Sequence, residues 1–368
     1  MQEILERREL RIANLTKFVR DVTNDIHQTS QYIGPSILPL ETVNGPDWEI
    51  VKKKAGIPVM ANIHAEGAET GVGERWGTLK VAEGTIPGVR RKLPIDPKTY
   101  LRLKQSQYQS DLWKQLIEEM YDDVATLTDA VLARVEWFRW QALAKGSFTY
   151  SEDGIIQSVD FQATAANIVT VGTDSDYGQI TWDNVTGVGA CDWLSDLRTY
   201  CRWYQRTYGV RLTRAICSST VMDYMLANTE VGETYLWGSD YGARLMAVTE
   251  LNNLLSRYQL PTFVEYDVKV RSKDAETGAI TEERLLPEYR IVLLPDASVR
   301  VGSTISAPTV EALMNSEQLQ GQPAPGLYAE AWIEGQDVKT LWTKVSAKSF
   351  PLMDGMDKVG VLIVNTES

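Results

Sequence analysis

The chain has 368 residues, 43% of them hydrophobic and 23% charged, with a formal net charge of −12 at pH 7. That length fits roughly two domains at about 100–200 residues each, and the composition is globular rather than disordered. The acidic balance argues against a surface that grips nucleic acid, which needs clustered Lys and Arg, and suits a body that stays soluble at high concentration.

Residues 2–20 place Ile4, Leu5, Leu10, Ile12, Leu15, Phe18 and Val19 among charges and predict a short helix, with no apolar core of signal-peptide type. A polar run from Asn24 to Asn44, broken by Gly34, Pro35 and Pro39, predicts extended chain. Residues 1–45 therefore read as an arm that packs on something else. Residues 46–95 read as an extended β-hairpin loop, with Val59, Met60, Ile63, Leu79, Val81 and Ile86 flanking a tip that holds Gly67, Gly71, Gly73 and Gly77. A two-stranded hairpin alone is marginal in water, so a long one needs something to cover it.

Residues 109–145 predict one long helix. Trp113, Leu116, Ile117, Met120, Val124, Leu127, Val131, Val135, Phe138 and Ala142 recur at spacings of three and four, with Glu118, Glu119, Asp122, Asp123 and Asp129 off that stripe. Ser110 and Asp111 form a capping signal and Gly146 a stop. At 1.5 Å per residue the helix is about 50 Å long, a girder rather than a strict heptad coil. Its end, Arg134 to Gly146, carries Trp137, Phe138 and Trp140 beside two arginines and Glu136. Residues 137 and 140 share a face and 138 joins the stripe, so this end is apolar on more than one side and is expected to be buried on more than one side.

Ser147–Phe161 predicts a hairpin turning at Glu152-Asp153-Gly154. A helix from Asp192 to Tyr208 ends at Gly209, followed by a strand at Leu212–Ser218 and helices from Ser219 to about Asn228 and over about 241–257. Strands follow at Phe263–Val270 and Arg290–Leu294, interrupted by a turn at Asp274–Gly278, and Gly326–Val364 is strand-rich. The chain reads as α+β, and no stretch approaches the roughly 18–20 apolar residues of a membrane span.

Motifs for chemistry are sparse. His27 and His64 sit at no metal-ligand spacing, and no HExxH or GxSxG occurs. Thr70–Gly77, TGVGERWG, lacks the GK[ST] of a phosphate loop, and Thr186–Ala190, TGVGA, lacks a full dinucleotide fingerprint. Paired carboxylates such as Glu118-Glu119 lie on the polar face of a helix, where solvation or ion pairing explains them. Cys191, Cys201 and Cys217 form no CxxC and read as buried thiols of a reducing compartment. No catalytic residue, cofactor or metal site is expected.

Charge is more informative. Lys52, Lys53 and Lys54 on one side and Arg90, Arg91 and Lys92 on the other flank the long loop at its base. The loop carries Glu66, Glu69, Glu74 and Glu83 against Arg75 and Lys80, with Gly71, Gly73 and Trp76 between. Sign-complementary docking on a neighbouring subunit would use such charges to select register more than to add affinity.

These stretches together resemble the lambda-type major capsid protein E family of tailed bacteriophages. The resemblance rests on the 57–95 loop and on Arg134, Glu136, Trp137, Gln141, Ala142, Leu143 and Gly146 at the helix end. It continues in Val159-Asp160-Phe161, in Trp182 before an Asp-rich helix, and in the Tyr266–Pro295 series followed by Gly302. It covers residues from about 35 to the end, and leaves 315–326 without an assigned role. It implies the tailed-phage major capsid fold: an arm at 1–45, an extended loop at 46–95, a peripheral domain at 96–175 and 300–368 built on a spine helix at 109–145, and an axial domain at 176–299. It implies self-assembly into pentamers and hexamers of an icosahedral head, formed in a bacterial cytoplasm around double-stranded DNA without sequence-specific contact. With no long pro-segment before the arm, a separate scaffolding protein is expected, with a portal and a decoration protein as further partners, and no membrane. In some relatives of the fold Lys and Asn side chains cross-link, which marks Lys80 as a donor without marking an acceptor. The alternatives are a nanocompartment shell protein of the same fold, separated by whether nucleic acid or a cargo protein co-purifies, or another phage structural protein.

Overall fold

The computed structural model describes residues 10–365 apart from 29–31, 53–79, 96–109, 153–154, 162, 164, 174–176, 178–179, 187–189, 234, 236–245, 274–278, 321–324, 335–339 and 354–355. In chain order the elements begin with α1 (Ile12–Gln28), α2 (Gly34–Ile37), β1 (Leu40–Thr42), β2 (Asp47–Lys52), β3 (Lys80–Thr85) and β4 (Val89–Ile95). The long helix α3 (Ser110–Lys145) leads to β5 (Ser147–Glu152), β6 (Ile155–Asp160) and β7 (Ile168–Thr170). Next come α4 (Trp193–Tyr208), β8 (Leu212–Cys217), α5 (Ser219–Ala227), α6 (Thr229–Gly232), α7 (Val248–Arg257) and β9 (Thr262–Glu265). The remainder is β10 (Lys269–Lys273), β11 (Ile280–Arg284), β12 (Arg290–Pro295), β13 (Gly302–Ala307), α8 (Val310–Met314), β14 (Tyr328–Glu334), β15 (Thr340–Met353) and β16 (Gly360–Ile363).

The chain divides into two compact units. The first comprises Met1–Glu49, Glu83–Arg139 and Gly302–Leu352, and the second Ile50–Ala82, Trp140–Val301 and Met353–Ser368.

In the first unit one sheet runs in the order β1-β13-β15-β14, and β4 also pairs with β15. The early part of β15 lies between β14 and β4, both antiparallel, while β1 runs parallel to β13. The outer edge of β14 is closed by α1. The Thr16 hydroxyl donates to Ala329 O and accepts from Ala329 N, each at 3.3 Å, and Arg20 donates to Leu327 O and Pro325 O. A free strand edge invites pairing with other chains, and these side chains occupy it. Leu15 and Val19 are fully buried, and Phe18 meets Tyr121 of α3 edge-on at 4.6 Å. The arm was expected to pack on something else, yet this part of it packs within its own subunit, because the 3.6-residue period continues to Gln28 and gives it an apolar face. The extended reading of 24–44 is corrected on the same ground, and again at Gly34–Ile37, where Pro35 near the start of a single helical turn supplies the required φ without losing a hydrogen bond.

In α3 the side chains of Met120, Val124, Leu127, Val131, Val135 and Phe138 are buried along the predicted stripe. Gly146 stops the helix at φ +65°, its N–H bonded to Ala142 O at 3.0 Å. A Cβ there would also lie 2.6 Å from the Cβ of Ala163, so both conformation and space require glycine.

The second unit is built on the mixed sheet β7-β16-β12-β8-β9. The central strand β12 buries Ile291, Val292, Leu293 and Leu294 completely, as a strand covered on both faces must. Trp193, Leu197, Tyr200 and Tyr204 of α4 join the core with Leu251 and Leu255 of α7. Asn167 bonds at both ends of its buried amide: Nδ2 donates to Met356 O, Oδ1 accepts from the Tyr208 hydroxyl, and its backbone carbonyl accepts from the Tyr200 hydroxyl. The Asn252 side chain of α7 bonds both N–H and C=O of Phe263 in the edge strand β9, the same edge-closing device as Thr16. The predicted strand 263–270 is split into β9 and β10. Tyr266 leaves the strand path to stack on Trp140 at 4.7 Å, and Asp267 pairs with Arg284 at 2.7 Å.

Candidate functional site

The sequence points to two regions, the end of the long helix and the base of the loop. At the helix end the first unit holds a buried polar network. Glu136 is fully buried and Arg139 nearly so, joined at 2.9 Å between Oε2 and Nη1. Glu136 Oε1 accepts from the Gly34 N–H at 2.9 Å. Arg139 Nε donates to the Thr304 hydroxyl at 2.9 Å, and that hydroxyl donates to Leu38 O at 3.0 Å. A buried charge is tolerated when paired and hydrogen-bonded, and this pair ties the long helix, the arm and β13 together. The close fit demands glycine at 34, since a Cβ would stand 2.4 Å from Glu136 Oε2. The Tyr32 hydroxyl is pushed up to about 12 by burial and then by the nearby carboxylates of Asp129 and Glu136.

The aromatic residues of this segment take separate places. Phe138 meets Phe350 at 6.0 Å, and Phe350 stacks on Trp48 at 5.8 Å, all within the first unit. Trp137 is half-buried, edge-on to Phe138 at 5.5 Å, with the Arg134 guanidinium 4.6 Å from its ring centre. Trp140 falls in the second unit, fully buried against Tyr266. The two arginines thus differ in role: Arg139 neutralises Glu136, while Arg134 lies over the aromatic rings. Gly34 was read from the sequence only as a breaker, and Thr304 was not singled out. Helical spacing pairs Glu136 with Arg139, but no local signal pairs either with residues more than a hundred positions away.

At the loop base β2 and β3 pair, and Gly84 lies flat against Trp48, with room for no Cβ: 2.7 Å to the indole. Thr85 donates to Asp47 Oδ1 at 3.2 Å, and the Ile86 N–H to Pro46 O. Lys52 ends β2 and Lys80 begins β3; Lys53, Lys54, Glu66, Glu69, Gly71, Gly73, Glu74, Arg75 and Trp76 lie outside the described residues. Arg90, Arg91 and Lys92 stand exposed on β4, in register with Ser346, Val345 and Lys344. Arg90 reaches Glu311 at 3.5 Å, and the Lys92 ammonium sits 4.4 Å above the Trp342 ring. Lys344 bridges Glu311 at 3.1 Å and Glu330 at 2.7 Å. Burial works to raise the Glu311 carboxyl, but a backbone hydrogen bond, the Lys344 ammonium and Arg90 more than offset it and hold it below its usual range.

Beside this cluster the helix α8 turns Ala312 inward onto Leu319 and Tyr328, and leaves Val310, Leu313 and Met314 exposed. A cleft of about 130 Å³ at its first turn is lined by Ile86, Arg90, Thr309, Val310 and Lys348 among others. Among the described residues no three His, Cys, Asp or Glu side chains gather as a metal site, and no helix is long and apolar enough to cross a membrane. Burial pushes the Cys191 and Cys201 thiols up to about 12, and Cys217 upward as well, which leaves them protonated and unreactive near neutral pH.

Comparison with curated proteins finds no match. Among solved structures, the chain is similar to a capsid protein assigned to a prophage of E. coli CFT073. The TM-score is 0.63 and identity 16%, covering 97% of this chain and 99% of that one. It is also similar to a phage-related protein of Bordetella bronchiseptica RB50, at TM-score 0.52 and 12% identity, covering 96% and 97%. At those identities the likeness shows the fold, which is that of tailed-phage capsid proteins. The sequence profile of phage major capsid protein E matches residues 16–357, and with nearly the whole chain so matched, the protein belongs to the phage major capsid protein E family.

Proposed function

We propose that this protein is a structural subunit without catalytic chemistry, copies of which associate as pentamers and hexamers into the closed head of a tailed phage around double-stranded DNA. The observation that carries the reading is the match of the family profile across residues 16–357 on a matching fold. The loop spanning residues 53–79 is the element we assign to contact with sister copies, through Glu66, Glu69, Gly71, Gly73, Glu74, Arg75 and Trp76, with Lys80 at its foot. Its anchor supports this: Trp48, Gly84 and Phe350 fix the loop's feet in the first unit, and the charges beyond them are left to select register on a neighbour. Many weak contacts made at once close a shell that no single contact would hold.

A separate scaffolding protein, a portal and a decoration protein belong to the same reading, as does assembly in a bacterial cytoplasm. The net charge of −12 suits a wall that encloses DNA without gripping it. The test is expression of the chain with a scaffolding protein of the same phage, followed by negative-stain microscopy. Hollow uniform shells are expected. A chain that stays monomeric at high concentration with its scaffold present overturns the proposal, and a shell that co-purifies with a cargo protein instead of filling with DNA shifts it to a nanocompartment.

A further inference from the structure

The most exposed apolar surface of the first unit has no role so far. In α8, Val310 is 54% exposed, Leu313 55% and Met314 80%, at spacings that put all three on one face of a helix. The opposite side is committed: Ala312 is buried, and the Thr309 hydroxyl caps the helix by accepting from the Ala312 N–H at 3.2 Å. A contiguous apolar face held outward on a capped helix is the signature of a contact surface.

The charges around it are ordered from end to end. At the first turn, Arg90 and Lys344 pair with Glu311 and Lys344 also with Glu330, while Lys348 lines the adjacent cleft and brings the cluster to an excess of one positive charge. After the last turn comes Glu317, exposed, in the 3-10 turn Ser316–Leu319. A surface with an apolar centre, a basic end and an acidic end is complementary to itself when turned through 180°. The apolar centres meet, and each Glu317 faces the Lys348 end of the mate.

We infer that α8 is a two-fold contact between copies of this chain, Leu313 and Met314 packing on the same residues of a sister and Lys348 opposing the sister's Glu317. The inference rests on the shell-forming reading and names one of its contacts. It concerns a different surface from the 53–79 loop.

Shells assembled from Leu313→Cys and from Met314→Cys, oxidised gently, are expected to convert almost wholly to covalent dimers joined residue to like residue, because a two-fold axis pairs every copy whereas a three-fold set leaves one chain in three unpaired. Ile280→Cys, equally exposed in the second unit, serves as the control. Cys191 and Cys217 are buried and Cys201 only partly so, and the variants are therefore made together with Cys201→Ser to remove that thiol. Leu313→Glu with Met314→Glu is expected to abolish shells while the unassembled subunit keeps its melting temperature. Lys348→Glu alone is expected to lower shell yield, and Lys348→Glu with Glu317→Lys to restore it. Normal shells from the double glutamate variant, or no dimer from either cysteine in intact shells, overturn the contact and leave the shell function standing. Absence of shells from the unsubstituted chain overturns the shell reading itself.

Discussion

At the scale of single residues, the buried Glu136–Arg139 pair concentrates the largest stakes. Removing one partner leaves the other charged and uncompensated, which costs about 3–5 kcal/mol. Glu136→Gln is therefore expected to lower the stability of the unassembled subunit by that order in chemical denaturation. Gly34→Ala is expected to act in the same direction, because its Cβ would collide with Glu136 Oε2. The Glu136→Gln effect should carry no dependence on whether shells form. Glu311 gives a pH signature. Its folded carboxyl sits below its unfolded value, so its contribution to stability is present above that unfolded value, near pH 4.5, and fades as pH falls through the lower folded one. Stability of Lys344→Met, measured from pH 7 to 3, should show a shallower loss on acidification than the unsubstituted chain. Residue identity was legible here only in part. Glu136 stood out as an acid in an apolar helix end, and Gly146 as a stop. Gly34 stood out only as a breaker, because what forbids a side chain there is a carboxylate 102 positions away.

At the scale of elements, two helices close two sheet edges, each using one polar side chain that both donates and accepts. Thr16 serves Ala329, and Asn252 serves Phe263. A threonine hydroxyl or asparagine amide that both donates and accepts stands in for a missing strand at one residue. Thr16→Val keeps the shape and removes both bonds, at a cost of about 1–3 kcal/mol for the unsatisfied backbone groups. Amide exchange at Ala329 should accelerate in Thr16→Val, with Phe263 unaffected, and the reverse should hold for Asn252→Leu. Periodicity made the long helix and the core of α4 readable, since a stripe at 3.6 residues is a local property. It did not reveal that Tyr266 breaks a strand to meet Trp140, because that contact lies between distant segments. The arm was misjudged for a related reason: its helix is amphipathic, but the sequence does not say whether the surface it covers belongs to the same copy.

At the scale of the whole molecule, the loop expected from the sequence is predicted to be separable from the body. Trp48, Gly84, Ile86 and Phe350 secure its base. Deleting Glu66–Lys80 is expected to leave a subunit whose melting temperature is nearly unchanged, yet which forms no closed shells under the microscope. A large drop in melting temperature would instead mean that the tip stabilises its own subunit.

The strand order has a consequence for the path of folding. β1 pairs with β13, and β7 with β16, across long stretches of intervening chain, and β16 stands inside its sheet rather than at the rim. Pairing over such separations is slow, because the loops must close before the contacts reward them. Until β16 slots between β7 and β12, each of those strands presents a bare edge, so crowded, half-folded copies are most exposed to mispairing during that interval.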